Sequence, residues 1–186
     1  MKRHVIAALA LALLAASCNR SGPSPLLDEN ELLARMLMTD FQSGDISNLS
    51  GMFYPTAVYD DYSSQNEYQG LREIAGYVKS IQSWADDISM TVNAVHASET
   101  GATVEWTLSA VQVRPIPGRI SMATGNQVQI NGVTILQVSQ HLITRAANYM
   151  DDLGLMLQLG GEVHMPGGMV LKGNGSTSAD TATGGR

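Results

Sequence analysis

The fold is read outward from one stretch, Tyr149-Met150-Asp151-Asp152-Leu153-Gly154-Leu155-Met156-Leu157-Gln158-Leu159-Gly160. An extended segment, Ile143 to Tyr149, leads into two adjacent carboxylates, and a short apolar helix candidate follows them. This junction is the expected floor of any site. Upstream of it the apolar period is two. Met90, Val92, Ala94 and His96 alternate with Thr91, Asn93 and Val95. Val104, Trp106, Leu108 and Ala110 then alternate with Thr103, Glu105, Thr107 and Ser109. That pattern predicts strands with one apolar and one polar face. Glu99-Thr100-Gly101 predicts the hairpin turn between them. Arg114 to Gly125 carries Pro115, Pro117, Gly118 and Gly125 and is a loop or a broken strand. Val128 to Ser139 is a further strand, although propensity alone makes its Asn131-Gly132 a two-residue hairpin turn. Gln140-His141 is a second turn before the last strand.

Further upstream the period is helical. Asp28 predicts an N-cap, with Glu31 reaching back as in a capping box. Leu32, Leu33, Met36, Leu37 and Phe41 follow at helical spacing up to Gly44. Asp45 caps a short second helix carrying Ile46 and Leu49. Met52 to Tyr59, with Pro55 inside it, is an edge strand or extended segment, and Asp60 to Gln69 is polar and turn-like. Gly70 opens a third helix with Leu71, Ile74, Ala75, Val78 and Ile81 on one face. Helices segregated from strands predict an α+β domain over residues 28–160, with a curved, mainly antiparallel sheet around three N-terminal helices and a short C-terminal helix. Such a sheet leaves a concave pocket, where small molecules bind.

The ends have a different character. Lys2, Arg3 and His4 precede an apolar run, Val5 to Leu14, too short to span a bilayer comfortably. Ala15-Ala16-Ser17 then leads to Cys18, the one cysteine of the chain. Leu14-Ala15-Ala16-Ser17-Cys18 resembles a bacterial lipoprotein signal, which implies residues 1–18 as signal peptide and Cys18 as the lipidated residue. The simpler alternative is cleavage after a small residue, leaving a lone thiol. Asn19 to Leu27 reads as a tether, and Gly161 to Arg186, rich in Gly, Ser and Thr, as a flexible tail. The expected location is the cell envelope, with a lipid anchor in a membrane and the domain facing the periplasm or exterior. Without Lys2 and Arg3, nine basic residues face 17 acidic ones, and no basic stripe remains, so nucleic acid is excluded as a partner.

Four local motifs carry a resemblance to the SnoaL-like polyketide cyclases of the nuclear transport factor 2-like superfamily. They are Tyr68-Gln69-Gly70-Leu71-Arg72-Glu73-Ile74 leading into the third helix, and the Pro117-Gly118 to Ala123-Thr124-Gly125 loop. Gly132-Val133-Thr134-Ile135 through Ile143 follows, then Tyr149-Met150-Asp151 with Leu157-Gln158-Leu159-Gly160. The resemblance runs from about Leu32 to Gly160. It implies a cone-shaped barrel with a deep pocket, often a homodimer, and it places Asn131-Gly132 inside or beside a long strand.

The resemblance also implies that Asp151 is a general acid/base. Burial in an apolar cavity would raise its pKa toward neutrality. Alternation puts Arg145, Ala147, Tyr149 and Asp151 on one face. The bland alternative is that Asp151 or Asp152 caps the following helix. The partner position on the penultimate strand, counted back from Asp151, is Gln137, which hydrogen-bonds but cannot exchange a proton. The Arg-x-Asp pair of the related epoxide hydrolases is absent, since the matching strand reads Glu105-Trp106-Thr107. Trp106 either lines the pocket or fills the core. Tyr54, Tyr59, Asp60, Asp61 and Tyr62 cluster near the expected pocket mouth, and His96 reaches its rim or ends a strand. His141 and His164 are scattered, so no metal spacing exists and no cofactor is implied. Two readings follow. One is a cyclase or isomerase acting through Asp151. The other is a module of the envelope that holds a small apolar molecule, or docks a protein, without turnover.

Overall fold

A computed structural model describes residues 24–173. The expected signal segment with Cys18, residues 19–23 of the expected tether and residues 174–186 of the expected tail lie outside the described residues. The elements run α1 (Pro25–Ser43), α2 (Leu49–Met52), β1 (Phe53–Asp61), β2 (Asn66–Gln69), α3 (Gly70–Val78) and α4 (Ser80–Trp84). Then come β3 (Ala85–Ser98), β4 (Gly101–Gln112), β5 (Gln127–Ser139), β6 (Leu142–Met150) and α5 (Asp152–Gln158). A small hairpin, β7 (Glu162–His164) and β8 (Val170–Lys172), ends the described chain. Six strands form one sheet in the order β2-β1-β6-β5-β4-β3. The β1–β6 pair is parallel and every other neighbouring pair in it is antiparallel.

The α+β class is as expected; the helix count is not. Four helices precede β3 among the described residues, because the expected third helix breaks at Lys79. The break re-aims the chain so that both Ile81 and Trp84 bury. The N-terminal helix also begins earlier than Asp28. Pro25 occupies its first turn, where a missing N–H costs nothing. Residues 25–27 are therefore helix and not tether. Glu31 does not reach back; it accepts from Arg35 one turn on, at 2.7 and 2.9 Å. The stripe that α1 lays on β3 and β4 is Leu33, Ala34, Leu37, Met38 and Phe41, while Leu32 stays exposed. Gly44 ends the helix at φ 70°, its N–H donating to Asp40 O at 2.7 Å. Asp45 holds the turn before α2 by accepting from Ser47 N–H at 2.8 Å.

The polar stretch Asp60 to Gln69 forms a hairpin, with register from Val58↔Gln69 to Asp61↔Asn66. β1 thus lies inside the sheet and not at its edge. Pro55 is accommodated where β1 loses register with β6, between Phe53 and Val58. Gln140 and His141 close the β5–β6 hairpin with φ of 52° and 66°. The first part of the expected tail is ordered as the β7–β8 hairpin, with Glu162 paired to Lys172 at 2.6 Å.

Asn131-Gly132 sits within β5, opposite Thr107 and Trp106. The glycine is required by packing. The Trp106 indole lies over its backbone, and a Cβ there would stand 2.2 Å from the ring. Gly132→Ala is expected to displace the indole and destabilise the domain by about 1–3 kcal/mol. Denaturant unfolding checks this; an unchanged midpoint would mean that the ring does not depend on the glycine.

Candidate ligand site inside the cone

Between the concave face of the sheet and α1, α3, α4 and α5 lies a cavity of ≈ 310 Å³. That is at the small end of ligand pockets, roughly 300–1,000 Å³. Met38, Phe41, Ile81, Trp84, Leu108 and Ile130 supply apolar wall. The loop between β4 and β5 closes one side through Ile116, Pro117 and Arg119. Buried Gln112 braces that loop. Its Nε2 donates to Arg114 O and Met122 O at 2.7 and 2.9 Å, and its Oε1 accepts from Thr124 N–H and Oγ1, both at 2.6 Å. The Ala123-Thr124-Gly125 motif is therefore a structural brace. Arg119 is also paired with Asp152 at the start of α5, which ties the loop to that helix.

One end of the cavity is polar. Trp106 Nε1–H donates to Thr134 Oγ1 at 2.9 Å, and Thr134 donates to Asn148 Oδ1 at 3.0 Å. Asn148 Nδ2 in turn donates to Tyr77 Oη at 3.1 Å. This relay joins β4, β5, β6 and α3. Beside it is Asp61, only 4% exposed, whose carboxylate accepts from Ser63 N–H at 3.2 Å and from Ser64 Oγ at 2.5 Å. Burial, and then the neighbouring Tyr59 and Asp61, hold the Tyr77 phenol well above its ordinary pKa, so Tyr77 is a neutral hydroxyl. Burial and then Asp61 raise Tyr68 as well. Tyr68 and Tyr77 stack with centroids 4.6 Å apart.

The residues expected to form the site divide between the two faces of the sheet. Trp106 lines the cavity. Asp151 does not: it is the N-cap of α5, its Oδ1 accepting from Gly154 N–H at 2.8 Å in an exposed position. The reason is the phase of β6, where Asn148 and Met150 point inward and Tyr149 outward. Arg145, Tyr149 and Asp151 do share a face, but it is the outer one. There Tyr149 stacks on Tyr62, with centroids 4.8 Å apart, and Arg145 pairs with Asp60 at 2.5 Å. Gln137 is exposed on the same side and lies opposite Arg145. The Asp151 N–H meets Asn131 O, so the position across from Asp151 is Asn131 and not Gln137. His96 is exposed because an extra residue, Asn93, shifts the phase of β3 between Val92 and Ala94. Tyr54 is exposed. Tyr59 is fully buried in the core against Phe41, Phe53 and Tyr77, with no hydrogen-bond partner for its hydroxyl. His141 pairs with Glu29 at 2.7 Å on the surface.

Sequence reasoning named Asp61 only as part of a polar cluster and missed Thr134, Asn148 and Tyr77. A signal for Asp61 exists in the alternation Ala57-Tyr59-Asp61, which shares the inner face of β1. Thr134 and Asn148 carry no such signal, since only the β5–β6 register sets them side by side. Among the described residues no group of His, Cys, Asp or Glu is arranged to hold a metal ion. No described helix is long and apolar enough to cross a membrane.

The family of the chain is shown by its sequence, and the fold is shared with several solved structures. The sequence profile of the SnoaL-like domain matches residues 34–146, more than half of the chain. The chain belongs to the SnoaL-like domain family. Among solved structures, it is similar to TsrD from Streptomyces laurentii, at 22% identity and a TM-score of 0.63 over 72% of this chain and 96% of that one. It is similar to a Jannaschia sp. CCS1 protein assigned as a SnoaL-like polyketide cyclase, at 15% identity and a TM-score of 0.67 over 75% and 97%. It is also similar to an LEH-like epoxide hydrolase of M. tuberculosis, at 16% identity and a TM-score of 0.56 over 73% and 92%. At these identities the likeness establishes the fold alone. No curated protein matches the chain.

Asp151→Ala is expected to cost about 1 kcal/mol of stability, the value of a helix cap. It should leave ligand binding unchanged. Thermal unfolding with and without ligand checks both; loss of binding at retained stability would return Asp151 to the site.

Proposed function

We propose that the domain holds a small, mainly apolar molecule inside the cone. The observation that carries this reading is the ≈ 310 Å³ cavity with apolar walls and polar groups gathered at one end. A cavity that served only packing would be filled. A ligand seated there would bury its apolar body against Phe41, Trp84, Leu108 and Ile130. Its polar end would meet Asp61 and the hydroxyl of Tyr77, which accepts from Asn148 and keeps its own hydrogen to donate. The reading is tested by filling the cavity. Ile130→Phe should leave a folded domain that no longer gains thermal stability from small apolar compounds that stabilise the wild type. Equal stabilisation of both proteins would place the ligand elsewhere.

Proton transfer on the bound molecule is a second reading, favoured by one observation. Asp61 is a buried carboxylate on the cavity wall, so any acid/base step belongs to it and not to Asp151. Release of an unchanged ligand after long incubation, with no exchange of its carbon-bound protons into heavy water, would leave binding as the whole function.

The N-terminal Cys18 supports an envelope location, with the domain held outside the membrane by a lipid anchor. Cys18→Ser is expected to move the protein from the membrane fraction to the soluble fraction on cell fractionation. An unchanged distribution would favour simple cleavage or another tether.

A further inference from the structure

Resting on the reading that the cavity takes a ligand, we infer that this ligand is a cation, a small alkylammonium whose charged nitrogen meets Asp61. The carboxylate is 4% exposed and lines the cavity. Its partners are Ser63 N–H and Ser64 Oγ, neither of them charged. Among the described residues, no Lys, Arg or His is within ion-pair distance of Asp61. One cationic side chain, Arg119, does line the cavity, but Asp152 holds it in an ion pair of its own. Asp61 therefore has no side-chain counter-ion of its own among the described residues. A buried carboxylate without a counter-charge is costly, and a bound cation removes that cost.

The surrounding walls fit the same ligand. Phe41, Tyr68, Tyr77, Trp84 and Trp106 all face the cavity. Aromatic faces attract a desolvated ammonium group through their quadrupoles, and they attract anions not at all. The stacked pair Tyr68–Tyr77 lines the same cavity as Asp61, and Asn148, the strand partner of Asp61, bonds Tyr77. An anionic ligand would meet Asp61 repulsively. A neutral one would fill the apolar volume but leave the carboxylate uncompensated. The volume suits a small amine and no polymer. The formal charge of the chain, −6, adds a long-range attraction of the same sign.

The chain has two tryptophans, and both line the cavity, so intrinsic fluorescence reports its occupancy directly. The probes are choline and its uncharged carbon isostere, 3,3-dimethylbutan-1-ol. Choline is expected to quench saturably and to bind roughly tenfold or more tightly than the alcohol. Asp61→Asn should remove that preference by weakening choline and leaving the alcohol unchanged. Tyr68→Leu, which keeps the carboxylate, should weaken choline more than the alcohol and serves if Asp61→Asn does not fold. Equal affinity for the two probes, or a preference for choline that survives Asp61→Asn, overturns the inference. In that case, binding of the alcohol alone leaves the small-molecule reading standing. If neither probe binds and no apolar compound stabilises the domain, both readings fall together.

Discussion

The hydrogen-bond relay from Trp106 through Thr134 and Asn148 to Tyr77 is the constraint on which the rest of the cavity depends. Four polar groups sit deep in an apolar cone, and each would cost on the order of 1–3 kcal/mol if left unpaired. The relay satisfies them only when β4, β5, β6 and α3 are all in register. It thereby makes the cavity wall a cooperative unit. Gly132 is the steric counterpart of this polar constraint, because the Trp106 indole reaches Thr134 only by crossing a residue without a side chain.

The two faces of the sheet do different work as a result. The inner face ends in Asp61, Thr134 and Asn148, which are buried and ordered. The outer face carries Asp60, Tyr62, Arg145 and Tyr149 in a surface network of one ion pair, one stacked pair and the Arg145–Tyr62 hydrogen bond at 2.9 Å. Adjacent residues, Asp60 and Asp61, thus belong to opposite sides. Asp60 is paired with Arg145, whereas the Asp61 carboxylate lines the cavity and is held by Ser63 N–H and Ser64 Oγ. This asymmetry, and not the presence of an acid as such, is what gives the pocket its chemical character.

The closure of the cone depends on less regular parts. Gln112 uses its side-chain amide at both ends to brace the β4–β5 loop, and the Arg119–Asp152 pair fastens the loop to α5. The cap formed by Asp151 then fixes where α5 begins, so the carboxylates of the closing motif hold the floor of the cone without entering it.

Much of the fold was legible in the sequence alone. The period-two runs of β3 and β4, the hairpin at Gln140-His141 and the α1 helix up to Gly44 follow from local patterning, in which neighbouring residues decide the outcome. The closing motif also named the family. What the sequence could not decide was which carboxylate faces the cavity. Asp151 was favoured by motif and Asp61 lay within a polar cluster, but a strand's inward face depends on its phase. One residue of shift reverses that phase. The Asn93 bulge turned His96 outward, the phase of β6 turned Asp151 outward, and pairing of β1 with both β2 and β6 buried Asp61. Those registers come from contacts between distant segments, so the identity of the site residues belongs to the tertiary structure.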